Sequence, residues 1–235
     1  MIISHRYRFI FIKTRKTAGT SIEIFLSALC APDDIVTPIT EPGHRSRNHA
    51  GLFDPLPEIR DGYPVIGTVR DLLVRRRFYN HIPGGRIRAR VLRPVWADYF
   101  KFCVERNPWD KTLSHYAFVT RQDGGRPMTF DEYLAGDDLC VNLPAYTEPR
   151  DDGRLIVDEV LRYEALDDKL EKTFAMLGVP FRKPLSVTAK GSYRGDRRPY
   201  REVFSAAQRD RVQSAFRREI ELHGYTFDGA DPPHA

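Results

Sequence analysis

Cysteine is scarce. Cys30, Cys103 and Cys140 are the only three in 235 residues. They are odd in number, far apart and without a CxxC, which argues against a disulfide framework or a zinc site and makes a reducing cytoplasm the default compartment. No apolar run approaches the roughly 18 residues that a membrane-crossing helix needs, so no integral membrane segment is expected. The opening MIISHRYRFIFIK sets His and Arg among its apolar residues and lacks a small-residue cleavage site; it reads as a first strand, not a signal peptide. No internal repeat or low-complexity segment is present, and no clustered Asp/Glu/His pattern suggests a metal. Acidic residues are missing altogether between Asp71 and Asp98, where Arg75, Arg76, Arg77, Arg86, Arg88, Arg90 and Arg93 all fall.

A hydrophobic fraction of 41% beside 29% charged residues is that of a globular protein, and the length fits one α/β domain over 1–235. The net charge is +5. A second basic run holds Lys190, Arg194, Arg197, Arg198 and Arg201. Two solvated surfaces, or binding of a nucleotide, a nucleic acid or an acidic polymer, would each account for these runs, and charge alone does not choose.

RYRFIFIK (6–13) is a short run of β-formers and predicts a buried strand. TSIEIFLSAL (20–29) follows with Ile22, Phe25, Leu26 and Leu29 at helical spacing, and Thr20 with Glu23 has the pattern of a capping box. Residues 31–64, with six prolines, read as an irregular excursion, and PVIGTVR (64–70) as a weak second strand. WADYFKFCVERN (96–107) reads as a strand ending at Arg106, after which Asn107 caps a helix with Pro108 at its first position and Trp109, Leu113 and Tyr116 on one face. A strand over 154–164, a helix ending at Gly178 and a helix over 205–224 complete the pattern. Strands alternating with helices predict a three-layer α/β fold, its central sheet mostly parallel and covered on both faces.

KTRKTAGTS (13–21) sits between the first strand and its helix. A helix start presents unpaired N–H groups and the positive end of the helix dipole, so an anion is stabilised there. Ala18 and Gly19 allow close backbone approach, Thr20 and Ser21 add hydroxyls, and Lys13 and Lys16 supply mobile positive charge; the plain alternative is an ordinary strand–helix turn. The GxxxxGK[ST] order of a nucleotide-triphosphate loop is absent, since lysine here precedes glycine, and kinase or ATPase readings lose their main support. Further on, FKFCVERNPWDKTLSHYAF (100–118) places Arg106 at a strand end and Ser114 eight residues later in the helix behind it. The guanidinium fork suits phosphate and serine adds a donor.

Together these two segments resemble the PAPS-dependent sulfotransferases (PAPS, 3′-phosphoadenosine 5′-phosphosulfate), most of all the carbohydrate-type enzymes with their small bacterial members. KTRKTAGTS resembles the 5′-phosphosulfate loop and VERNPWDKTLSHY the 3′-phosphate motif. YNHIPGGRIRARV (79–91), IVDEVLRYEAL (156–166) and AKGSYR (189–194) extend the likeness in the same order.

The resemblance implies a three-layer fold of P-loop type and a transferase that moves a sulfuryl group from PAPS to an acceptor hydroxyl, a saccharide by likeness, and releases PAP, adenosine 3′,5′-bisphosphate, with no metal and no nucleic acid. Lys13, Lys16, Thr17, Ala18, Gly19, Thr20 and Ser21 would wrap the 5′-phosphosulfate, and Lys16 would neutralise the departing phosphate. Arg106 and Ser114 would hold the 3′-phosphate, with Lys190, Gly191 and Arg194 in a late closing loop. His81 lies in the segment that resembles the one carrying the family's catalytic histidine and is the first choice as base, with His49 second; His115 reads as packed in its helix. The arginine run before His81 is denser than the resemblance implies, and would contact an acidic acceptor or line the donor site. Two other readings stay open here: a magnesium-dependent phosphotransferase, and a non-catalytic binder of nucleic acid or acidic polysaccharide.

Overall fold

The computed structural model describes residues 1–41, 44–121, 125, 127–185 and 198–229. In chain order it runs β1 Ile2–Ser4, β2 Phe9–Phe11, α1 Gly19–Ser27, β3 Ile35–Val36, α2 Leu56–Arg60, α3 Val65–Leu73, α4 Gly84–Arg90 and α5 Arg93–Asp98. Then come β4 Phe100–Glu105, α6 Pro108–Arg121, α7 Phe130–Ala135, β5 Thr147–Glu148, β6 Asp151–Leu155, β7 Glu159–Arg162, α8 Leu166–Leu177, α9 Ala206–Ala215 and α10 Arg217–His223.

Five strands form the central sheet in the order β3-β1-β2-β4-β7. β2 pairs parallel with β4, and β4 with β7, while β1 is antiparallel to both of its neighbours. Reversing twice across β1 leaves β3 running with β2, so β1 alone opposes the common direction. The sheet is mostly parallel.

Strand alternation sends side chains to opposite faces. Ile2, Phe9, Phe11, Phe102, Val104 and Leu161 pack on Ile22 and Leu26 of α1 and on Leu170 and Phe174 of α8. On the other face Ile3, Ile10, Ile12 and Cys103 meet Phe78, Ile82, Ile87 of α4, Leu143 and Tyr146. A third cluster joins Trp109 and Leu113 of α6 to Tyr133, Val212 and Phe216. The architecture is the layered α/β arrangement that the alternation of elements predicts. Among the described residues no helix is long and apolar enough to cross a membrane.

Several local expectations are overturned. The stretch 64–70 is helical, part of α3, because Thr68 and Asp71 turn inward onto a polar network while its aliphatic residues face out. Residues 96–98 belong to α5, started by Pro94, and only Phe100–Glu105 is strand. The 154–164 stretch divides between β6, in a ribbon with β5, and β7 of the central sheet. The helix over 205–224 breaks at Phe216 into α9 and α10. Thr20 and Glu23 form no capping box: Ala18 is the N-cap, at φ 58°, and Glu23 turns inward to Lys13. Charge pairing inside the protein outweighs a cap exposed to water. Elsewhere Asn107 caps α6 by accepting from the Trp109 amide at 3.1 Å, and Gly178 and Gly224 end their helices with φ of 69° and 64°.

Candidate anion-binding and transfer site

β2 and β4 are adjacent parallel strands, so the loop leaving β2 and the turn leaving β4 emerge side by side at their carboxyl ends. That edge is where open α/β sheets bind ligands. The loop between β2 and α1 is held from behind. Four consecutive carbonyls each accept from a side chain: Lys13 O from His81 Nδ1 (3.1 Å), Thr14 O from Thr17 Oγ1 (3.3 Å), Arg15 O from Asn142 Nδ2 (3.0 Å) and Lys16 O from Arg106 Nη1 (3.3 Å). Lys16 and Ala18 take left-handed φ of 62° and 58°. With its carbonyls engaged and its N-cap lacking a side-chain acceptor, the loop gives the first turn of α1 its anion-attracting polarity.

The sequence-expected residues divide in two. Lys16, Arg106 and His81 converge on this loop. The Lys16 ammonium lies over the Phe118 ring, 4.5 Å from its centroid, and Ser114 is one helical turn before Phe118 on α6. Thr17, Gly19 and Ser21 are buried in the loop and first turn, with Ala18 and Thr20 half-buried. Lys13 is not the mobile charge expected of it. Its side chain is buried, paired with Glu23 at 2.5 Å, a bond fixed by the absence of competing water. The His49 carbonyl accepts from the Phe78 amide at 2.8 Å. Lys190, Gly191 and Arg194 lie outside the described residues.

Arg106 is already engaged. Its Nε and Nη2 donate to Asp110 Oδ2 at 2.8 and 2.6 Å, and its carbon sits 4.2 Å from the Tyr163 ring centroid. Burial works against its charge, but Asp110 and Tyr163 more than offset that, so the guanidinium stays firmly protonated. Five N–H donors less these three bonds leave two for a ligand.

His81 carries a legible tautomer. The Lys13 carbonyl can only accept, so Nδ1 bears the hydrogen and Nε2 keeps a lone pair. Burial first, then the nearby Lys13 charge, pushes the ring down to about 4, and it is neutral near pH 7. His81 also lines a cleft of about 230 Å³ with Lys13, Thr20, Pro38, Ile39, Thr40, Glu41 and Asn80. His115 is packed, bonded to Tyr133 and Arg15.

Sequence reasoning missed Asn142, which both donates to Arg15 O and accepts from Arg15 N at 2.9 Å. Nothing near Asn142 in the chain announces a partner 127 positions away. It also missed Asp110, although an acid four residues after Arg106 on one helix was a readable sign. The arginine run is corrected as well. Arg86 and Arg90 are buried against Glu58 and Asp71, Arg76 pairs with Asp71, and Arg88 binds Glu148 and Asp61. Arg86 and Arg90 are thereby neutralised inside the protein, while Arg76 and Arg88 are paired nearer its surface.

No protein-family model matches the sequence. An uncharacterized protein from Archaeoglobus fulgidus is 34% identical over 101 residues, which is 42% of this chain and 84% of that protein. The chain belongs to the family of that archaeal protein. Among solved structures, the sulfotransferase from Alicyclobacillus acidocaldarius aligns over 91% of this chain and 94% of its own at 18% identity, with a TM-score of 0.38, too low to weigh on fold or function.

Proposed function

We propose that the chain, as one domain over 1–235, is a PAPS-dependent sulfotransferase acting on a hydroxyl, with a saccharide as the acceptor class. The observation that carries this reading is the bond from Arg106 Nη1 to Lys16 O, which makes one continuous cationic site of the two segments that resemble the donor-binding motifs. The donor set fits a doubly anionic nucleotide: N–H groups of a strand–helix loop, the Lys16 ammonium, and two remaining guanidinium N–H groups.

Bound PAPS supplies the sulfuryl group. Lys16 and the amides of residues 18–21 hold the phosphosulfate end and place positive charge where the leaving phosphate gathers negative charge. Arg106 and Ser114 hold the 3′-phosphate, with Asp110 fixing the plane of the guanidinium. In the cleft, Nε2 of His81 accepts the acceptor's hydroxyl proton, while the Lys13 carbonyl keeps the hydrogen on Nδ1 and steadies the resulting imidazolium. A base held near 4 is weak, and a bound dianion beside it raises its proton affinity toward the working range. His49 stays the second candidate base.

The test is thermal unfolding with adenosine 3′,5′-bisphosphate, adenosine 5′-monophosphate or ATP with magnesium. At a hundred-fold excess over Kd the bisphosphate should raise Tm by roughly 5–10 °C and the monophosphate much less. Equal or larger stabilisation by ATP with magnesium would overturn the reading.

A further inference from the structure

α3 is inside out. The residues it turns to the protein, Thr68 and Asp71, are polar and buried: Thr68 donates to Glu58 at 2.9 Å, and Asp71 accepts from Arg90 at 3.1 Å. Its outward face is aliphatic. Ile66 is 86% exposed and Leu73 77%, with Val65, Val69 and Val74 beside them. Ile66, Val69 and Leu73 follow the i, i+3, i+7 spacing of one helical stripe. Leu52 and Leu56 extend the patch, since Gly51 N donates to Arg75 O at 2.8 Å and brings that segment alongside the end of α3. Branched aliphatics clustered in water mark a surface that something covers.

The rim identifies the cover. Arg70 and Arg75 are exposed beside the stripe, and among the described residues neither has an ion-pair partner. Arg76, also exposed, is paired with Asp71. The acid on this edge is Asp54, whose Oδ1 accepts from the Leu56 amide at 3.0 Å. Exposed aliphatics flanked by exposed arginines match a partner that is both apolar and anionic.

We propose that α3 and the adjoining Leu52–Leu56 edge dock this protein on an anionic bilayer surface. Ile66, Val69, Leu73 and Val74 enter the boundary between headgroups and acyl chains, and Arg70 and Arg75 bind lipid phosphates. The inference concerns where the protein works and holds whatever group it transfers.

Flotation with vesicles of phosphatidylcholine, with or without phosphatidylglycerol, tests it on the full chain. Wild type should float with the anionic vesicles and hardly at all with phosphatidylcholine alone. Arg70→Gln and Arg75→Gln should each weaken binding roughly fivefold. Ile66→Ser combined with Leu73→Ser should weaken it more than about tenfold, with unchanged circular dichroism because both sites are exposed. No flotation, flotation indifferent to phosphatidylglycerol, or flotation unaffected by the serine pair would each overturn the proposal. So would a wild-type dimer in sedimentation that the serine pair dissociates, which would make the face a contact between copies.

Discussion

Arg106 Nη1 donates to the carbonyl oxygen of Lys16 at 3.3 Å, joining residues 90 positions apart. The same guanidinium grips Asp110 through two other nitrogens and lies on Tyr163. A lysine ammonium cannot satisfy these directions together, because it is a point charge without a planar fork. Arg106→Lys should keep the fold and lower affinity for adenosine 3′,5′-bisphosphate by about tenfold or more, as befits a lost charge-assisted hydrogen bond. Titration calorimetry reads it directly, and an unchanged Kd would remove Arg106 from the nucleotide site.

Asn142 is the strut behind the loop. Its amide bonds both Arg15 N and Arg15 O and reaches Glu105 at 3.4 Å. Asn142→Ala removes the partner of both the partly buried Arg15 amide and its carbonyl and should cost about 1–3 kcal/mol in urea unfolding. Amide exchange at residues 14–18 should speed up as the carbonyls lose their anchor. Slow exchange there in the variant would show that the loop holds its shape unaided.

Two arginines of the 75–93 run should behave oppositely. Arg90 is fully buried between Glu58 and Asp71. Arg90→Met strands buried carboxylates and should destabilise by about 3–5 kcal/mol. Arg75→Gln, on the surface, should stay within about 0.5 kcal/mol. Chemical denaturation of the pair measures which arginines belong to the core.

The pH dependence of His81 follows from its burial. Its value is lowered from 6.5 to about 4, so the unfolded chain takes up the proton first as pH falls. The stability that the neutral ring contributes is fully present above 6.5 and is lost as pH drops from 6.5 toward 4. The stability gap between wild type and His81→Asn should therefore shrink by about 1.4 kcal/mol per pH unit through that window and level off below it. Nitrogen NMR should find the hydrogen on Nδ1 at neutral pH. An Nε2–H signal instead would remove His81 as the base.

The sequence by itself determined the elements whose signals are local. Asn107–Pro108 starts α6 because a capping amide and a fixed φ act within three residues, and Gly178 ends α8 because a left-handed residue needs no distant partner. The strand–loop–helix around residues 9–27 was readable for the same reason. Only the tertiary structure decided how charges pair. Lys13 and Glu23 looked like a mobile cation and a cap, and are instead a buried pair. The arginine run left a solvated surface and an anion site both open, and three of its seven members, Arg76, Arg86 and Arg90, neutralise Glu58 and Asp71. Val65, Ile66 and Val69 looked like a strand, and line the outer face of a helix whose polar side is the buried one. Periodicity and caps act over a few residues, whereas an ion pair is chosen by whichever opposite charge the fold brings into the same dry space.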